Sequence, residues 1–288
     1  MLITSGTKGQ FGNAYLSSAY HMAHALEHGY RLRLYNLGPY RDHLVGADGY
    51  PRILIGGNTC NLAGIAAGRA YRALTRRKIT RLGPLTILND QRGPYPLSPA
   101  ELATVARSGI ALSGGWKFRD RPTLQKQIVT IRSILGFKPR YLTLAEAKIR
   151  EIRGNATHII AIHIRMGDYR DFMGGQYFFS PEDYQRVAAQ AVETSGHDPS
   201  DVVVMPFSNE KLDWPATLAG ARVLTAGGSW WEDFLCLSMC DLIIGPPSTF
   251  SGSASLLGNV PWFQIKDRDA PFDLSIAKTY LESGIQIQ

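Results

Sequence analysis

The residue types best suited to chemistry gather in His163-Ile164-Arg165-Met166-Gly167-Asp168-Tyr169. The run before them, residues 157–164, is rich in β-branched side chains and reads as a buried parallel strand. Side chains alternate along a strand, so His163 and Arg165 point to the same face. Arg165 offers a planar fork of donors that matches phosphate. His163 adds another donor or acceptor, and Gly167 lets the chain turn sharply. The plainer reading is a strand end with a solvated arginine and a capping aspartate.

A second segment, Asp241-Leu242-Ile243-Ile244-Gly245-Pro246-Pro247-Ser248-Thr249-Phe250-Ser251-Gly252, runs from a strand through a Gly-Pro-Pro turn into a helix start. Free backbone N–H groups, small hydroxyls and the helix dipole converge there on a site suited to an anion. Ordinary N-capping by Ser248, Thr249 or Ser251 explains the same residues without a ligand. Two phosphate-suited strand ends in one half of the chain favour one shared ligand.

The elements that must position these residues alternate between strand and helix. In the first half, strands are expected at residues 2–4, 30–34, 52–55, 85–88 and 110–112. Helices are expected at 14–28 (stopped by Gly29), 60–77, 98–108 and 123–135, the last carrying Leu124, Ile128, Ile131 and Leu135 on one stripe. A glycine-rich turn, residues 6–13, separates the first strand from the first helix. Residues 137–141 read as a linker and 143–153 as a helix leading into the second half. There, strands are expected at 157–164, 201–205, 222–224 and 242–244, and helices at 230–239 and 251–257. Another helix opens at Ser180, with Pro181 at its first position and Asp183 at its third. Alternation in both halves around a linker implies two α/β domains facing a cleft, residues 1–140 and 141–288.

Composition agrees. The 288 residues are 44% apolar and 19% charged, which excludes a disordered chain. No 18-residue apolar run is present, and the N-terminal apolar stretch is too short for a signal peptide, so a cytoplasmic location is expected. Three cysteines, Cys60, Cys236 and Cys240, lack metal or disulfide spacing and fit a reducing compartment. The net charge of +7 suits a nucleic acid, an anionic membrane surface or a phosphorylated small molecule, and does not choose among them.

Residues 163–169 resemble the HxRxGD motif of GDP-fucose-dependent fucosyltransferases, above all the bacterial α1,2 type. Asp233, Ser238, Cys240, Asp241 and the Ser-Thr-Phe-Ser run to Ser251 resemble that family's later motif. Residues 203–209 (Val-Val-Met-Pro-Phe-Ser-Asn) resemble the strand between, and Gly9-Gln10-Phe11-Gly12-Asn13, with Ala19 and Ala23, is similar to its Gly-Gly-Leu-Gly-Asn-Gln entry. The four motifs keep the family order over residues 9–257.

The resemblance implies a GT-B-like fold of two Rossmann-like domains, the donor GDP-fucose bound mainly by the second, no cofactor and no metal. Carried over by position, Arg165 contacts the diphosphate, His163 lies near the nucleotide, Asp233 recognises guanine, and Ser248, Thr249 and Phe250 line the diphosphate. Gly12 and Asn13 fall on the acceptor side. The reaction implied is displacement at the sugar C1 with inversion, onto a glycan hydroxyl, with Asp168 one candidate for a catalytic role beside Arg165; Asp168 alternatively orders Arg165. The chain departs from the pattern at Met166, where the α1,2 motif has a second arginine. It departs again at Gly252-Ser253-Ala254, where the family has a tryptophan pair, and at Ala14, where it has glutamine.

Other patterns compete. His24-Ala25-Leu26-Glu27-His28 matches the H-x-x-E-H zinc pattern, extended by His21, yet its helix stops at Gly29 without a matching downstream acid, so a polar helix face is expected. Arg69, Arg72, Arg76, Arg77, Lys78 and Arg81 form a basic run that is solvated, or touches a membrane bearing a lipid-linked acceptor, with the protein at its inner face. Tyr71 alone interleaves with it, which disfavours nucleic-acid binding. A degenerate protein that binds a nucleotide sugar without turnover is the remaining alternative. Trp230, Trp231, Tyr177, Phe178 and Phe179 serve either stacking or packing.

Overall fold

Short β-branched runs separated by amphipathic helices fold here into two α/β units, Met1–Lys138 and Pro139–Ile287. The structure is a computed structural model. It describes residues 1–5, 10–56, 61–89, 94–115, 117–208, 210–211, 213–225 and 228–283. The turn at 6–9, with Gly9, and Cys60 and Asn209, on which the sequence reading drew, lie outside the described residues.

The first unit contains β1 (Leu2–Thr4), α1 (Phe11–His28), β2 (Leu32–Leu34), β3 (Ile53–Ile55), α2 (Asn61–Arg76), β4 (Arg81–Leu82), β5 (Leu85–Leu88), α3 (Pro99–Ser108), β6 (Ile110–Ser113) and α4 (Arg121–Leu135). Its sheet runs β3-β2-β1-β6-β5-β4, parallel except for β4 on β5. α1 is buried almost all round, which requires its polar side chains to be paired. Ser17 donates to the Gly115 carbonyl and Asn36 donates to Ser18 Oγ at 3.1 Å. Gly29 closes the helix in the left-handed region, φ 69°, its N–H on the Ala25 carbonyl. α1 begins three residues before the expected start because the Phe11 ring packs against Tyr15, Tyr40 and Phe137. Gly12 and Asn13 are therefore in the first helical turn and not in a turn before it.

The second unit contains α5 (Pro139–Arg153), β7 (His158–Ile164), α6 (Pro181–Thr194), β8 (Val202–Ser208), β9 (Thr217–Leu218), β10 (Ala221–Val223), α7 (Trp230–Met239), β11 (Leu242–Gly245), α8 (Thr249–Gly258) and β12 (Trp262–Gln264). Its sheet runs β12-β11-β7-β8-β10-β9, parallel except for β9. β7 and β8 are buried along almost their whole length, which explains their uninterrupted apolar sequences. Ile160, Ile162, Val202 and Val204 pack with Tyr184, Val187 and Ala191 of α6. α6 begins as expected, with a reciprocal capping box between Ser180 and Asp183.

The expected linker at 137–141 is absent. Phe137 is fully buried and bridged to Leu44, and α5 starts directly at Pro139. Proline suits the first helical position, which outweighs the loop character suggested by Lys-Pro-Arg.

Both sheets reverse their order beside their first strand. In the second unit the chain passes from β7 to β8 on one side and later returns to β11 on the other. The carboxyl ends of β7 and β11 thus flank a topological switch point, the place where open α/β sheets bind ligands.

Candidate anion-binding site

At the end of β7, Arg165 is shaped by three neighbours. Its Nη2 donates to both carboxylate oxygens of Asp168, each at 2.8 Å. Its guanidinium carbon lies 5.0 Å from the centre of the Tyr169 ring, and its backbone N–H donates to Tyr184 Oη at 3.2 Å. Its Nε is buried and has no hydrogen-bond partner among the described residues. A buried charged donor without a protein acceptor is costly, and an anion removes that cost. The chain leaves the strand through Gly167, φ 42°, whose N–H donates to Glu210 Oε1 at 2.9 Å.

Met166 turns the other way. It is 5% exposed and packs in the core with Ile164 and Phe179. The side chain at 166, where the resembled motif has a second arginine, occupies apolar core, where a methionine fits irregular space.

His163 is buried, its Nδ1 2.6 Å from Ser251 Oγ and its ring 5.3 Å from that of Phe250. Burial, reinforced by the neighbouring Arg165 charge, pushes its pKa down to about 3, so the imidazole is neutral. β11 approaches this residue closely. A Cβ on Gly245 would fall 2.5 Å from the His163 carbonyl oxygen, so only glycine fits.

After β11 the Pro247 carbonyl accepts from Tyr169 Oη at 2.7 Å, joining the loop beyond β7 to the loop before α8. Ser248 is the N-cap of α8, its Oγ accepting from Phe250 N at 3.3 Å. Thr249 and Phe250 form the first turn, in which no acidic side chain opposes an anion. Phe250 meets Phe234 edge-on at 5.3 Å, and Phe234 follows Asp233 on α7. Asp233 Oδ1 is buried without a hydrogen-bond partner among the described residues. Desolvation raises its pKa to about 7, against the opposing pull of Lys148.

The two segments picked out by sequence thus share one strand-end region. His163, Arg165, Asp168, Ser248 and Phe250 lie at these strand ends through the contacts above, Thr249 follows in the first turn of α8, and Asp233 stands on α7 beside Phe234, whose ring meets Phe250. Tyr184 and Glu210, which sequence did not single out, complete the frame with Tyr169 and Ser251, which stood within the motifs without an assigned partner. Tyr169 stood within the motif, but its bond to Pro247 spans 78 residues and has no local signal. Gly12 and Asn13 belong to the other unit, at the start of α1.

Several competing patterns resolve as packing. Trp231 meets Tyr141 of α5 edge-on at 4.9 Å, Phe179 is in the core, and Tyr177 and Phe178 pack against it. Cys236 and Cys240 are buried free thiols whose pKa values burial raises. Glu27 of the H-x-x-E-H run pairs with Lys126 and Gln127. Arg69, Arg72, Arg76 and Arg77 are exposed at α2.

Two such doubly wound units in one chain, with a candidate anion site at the switch point of the second, define a GT-B-like fold. Within it, residues 132–265 match the family model of Glycosyl transferase family 11, a stretch that contains every strand of the second sheet. Solved structures extend the fold likeness over the chain. FUT1 of Arabidopsis thaliana, a mutant in complex with GDP, is similar at 13% identity and TM-score 0.61, over 94% of this chain and 72% of that one. The NodZ alpha-1,6-fucosyltransferase soaked with GDP-fucose is similar at 16% identity and TM-score 0.54, over 96% of each chain. POFUT1 in complex with GDP-fucose is similar at 12% identity and TM-score 0.53, over 92% of this chain and 97% of that one. No curated protein matches the chain in sequence.

Proposed function

We propose that the protein is a glycosyltransferase that moves fucose from GDP-fucose to a glycan hydroxyl, with inversion, without metal or cofactor, and with α1,2 linkage. The observation that carries this reading is the buried Nε of Arg165, without a partner among the described residues, at a switch point where Tyr169 joins its loop to Pro247 just before α8. The match of this unit to Glycosyl transferase family 11 supports it.

In the reaction, the bond from the sugar C1 to the β-phosphate oxygen breaks while the acceptor oxygen bonds to C1 from the opposite face. The acceptor proton passes to a base or to water. The second unit holds the donor. Arg165 and the N–H groups and hydroxyls of Ser248 and Thr249 take up the charge that develops on departing GDP, work that a metal performs elsewhere. Phe250 and neutral His163 wall the nucleotide. Asp233, once ionised, accepts two N–H bonds from the guanine edge. Asp168 has both oxygens on Arg165, so it acts first by orienting that guanidinium. The first unit supplies the acceptor face, including Gly12 and Asn13.

A lipid-linked acceptor and a cytoplasmic, membrane-peripheral location fit α2. Leu62 is 79% and Ile65 43% exposed, on the same helix as exposed Arg69, Arg72 and Arg76. Among the described residues no helix is long and apolar enough to cross a membrane.

The test is turnover of GDP-fucose with β-galactoside acceptors. GDP release that depends on acceptor, and is lost in Arg165→Ala, supports the reading. GDP-fucose binding without transfer to any acceptor would reduce the protein to a nucleotide-sugar binder, and absence of binding would refute the site.

A further inference from the structure

Three metal-ligating side chains of the first unit meet between α1 and the N-cap of α4. His24 and His28 stand one turn apart near the end of α1, and the buried carboxylate of Asp120 caps α4. One ligand atom from each falls within 4.8 Å of the others, and His24 Nε2 is 3.8 Å from Asp120 Oδ2. The carbonyl oxygen of Pro99, at the first position of α3, is 3.0 Å from the same Nε2.

We propose that His24, His28 and Asp120 bind one divalent transition ion of the zinc type, which ties the end of α1 to the starts of α3 and α4. Imidazole and carboxylate form a donor set that zinc accepts, whereas calcium and magnesium prefer oxygen alone. Residues at i and i+4 share a helix face, so both rings reach one point. Tyr30 Oη lies 2.8 Å from His24 Nδ1. Without an ion the Pro99 carbonyl accepts from Nε2–H and Tyr30 Oη donates to Nδ1; the ion takes the place of the Nε2 proton, the ring's proton moves to Nδ1, and Tyr30 Oη then accepts it, the outer-shell arrangement typical of ligating histidines. Asp120 Oδ1 accepts from Thr123 N, which leaves Oδ2 for the ion.

Neighbouring ligand atoms in a tetrahedral zinc shell stand about 3.4 Å apart, given bonds near 2.1 Å. The Pro99 oxygen, at 3.0 Å, and Oδ2, at 3.8 Å, bracket that spacing from Nε2, and half-buried His28 lies within the same 4.8 Å span. Water or the Pro99 carbonyl supplies the fourth position. The H-x-x-E-H spacing thus supplies two ligands, Glu27 turns to α4, and Asp120 is the downstream acidic ligand that the sequence pattern alone did not reveal. The role is structural. It lies in the first unit, whereas the proposed donor site is in the second, and it does not depend on the proposed transfer reaction.

The test uses the full chain, stripped with a chelator and titrated with Zn²⁺ in a calorimeter. One ion per chain is expected, with a higher thermal midpoint, a loss of at least tenfold in affinity for His28→Ala, and about tenfold for Tyr30→Phe, which keeps every ligand. Co²⁺ is expected to give a visible d–d band that His28→Ala abolishes. Binding below one ion per chain overturns the proposal. So does binding unchanged in His28→Ala and Tyr30→Phe, which would locate the ion at other histidines, such as the stacked His158 and His197. Circular dichroism checks that the variants keep their fold.

Discussion

The guanidinium of Arg165 is gripped on one edge by Asp168 and left open at Nε. Lysine in its place keeps the charge but loses the fork, so Arg165→Lys is expected to bind GDP about tenfold more weakly, and Arg165→Ala about 10–100-fold, as read by calorimetry. Asp233 gives a pH dependence. Its pKa is raised to about 7, so it is protonated and acceptor-poor below that value. GDP affinity is expected to rise with pH through about 7 and to be low and pH-independent in Asp233→Asn. Linkage gives the opposite sign for the free protein. The folded chain holds this proton more tightly than the unfolded chain, so the contribution of Asp233 to stability falls as pH rises from about 4 to 7, and bound guanine offsets the fall. Much of this site was legible in the sequence, because strand alternation places His163 and Arg165 on one side and Ser-Thr-Phe-Ser announces a helix start. Partners 78 to 88 residues away, Pro247 for Tyr169 and Ser251 for His163, were not. Met166 marks the limit: the substitution was visible, but its inward orientation comes from tertiary packing.

β7, β8 and β11 were legible because both of their faces are buried and their sequences are continuously apolar. The two-residue strands β4 and β9 have no period to detect, and β12 takes its register from β11. Gly245 allows β11 to come within reach of the His163 carbonyl. Gly245→Ala forces the strands apart and is expected to cost about 1–3 kcal/mol, lowering the thermal midpoint by several degrees and weakening GDP binding with it. α2 yields another expectation. If its exposed Leu62 and Ile65 enter a bilayer beside the arginines, the protein cosediments with vesicles rich in anionic lipid and not with neutral ones. Leu62→Glu with Ile65→Glu abolishes that while GDP affinity stays unchanged. Equal recovery with both vesicle types would assign the basic face to solvent.

The length of 288 residues admitted two domains, and the structure has two units, each with a six-stranded sheet reversed beside its first strand. Part of the excess of +7 lies in the exposed run from Arg69 to Arg81, whereas Arg165, the cation proposed to meet phosphate, is already paired with Asp168. The central claim is that the second unit holds a guanine nucleotide through Arg165 and Asp233. Calorimetric titration of the full chain with GDP and with UDP tests it most directly. The account predicts saturable one-to-one binding of GDP, at least tenfold weaker binding of UDP, and GDP affinity lowered about 10–100-fold in Arg165→Ala. Equal affinity for the two nucleotides, or GDP binding untouched by Arg165→Ala, would contradict it.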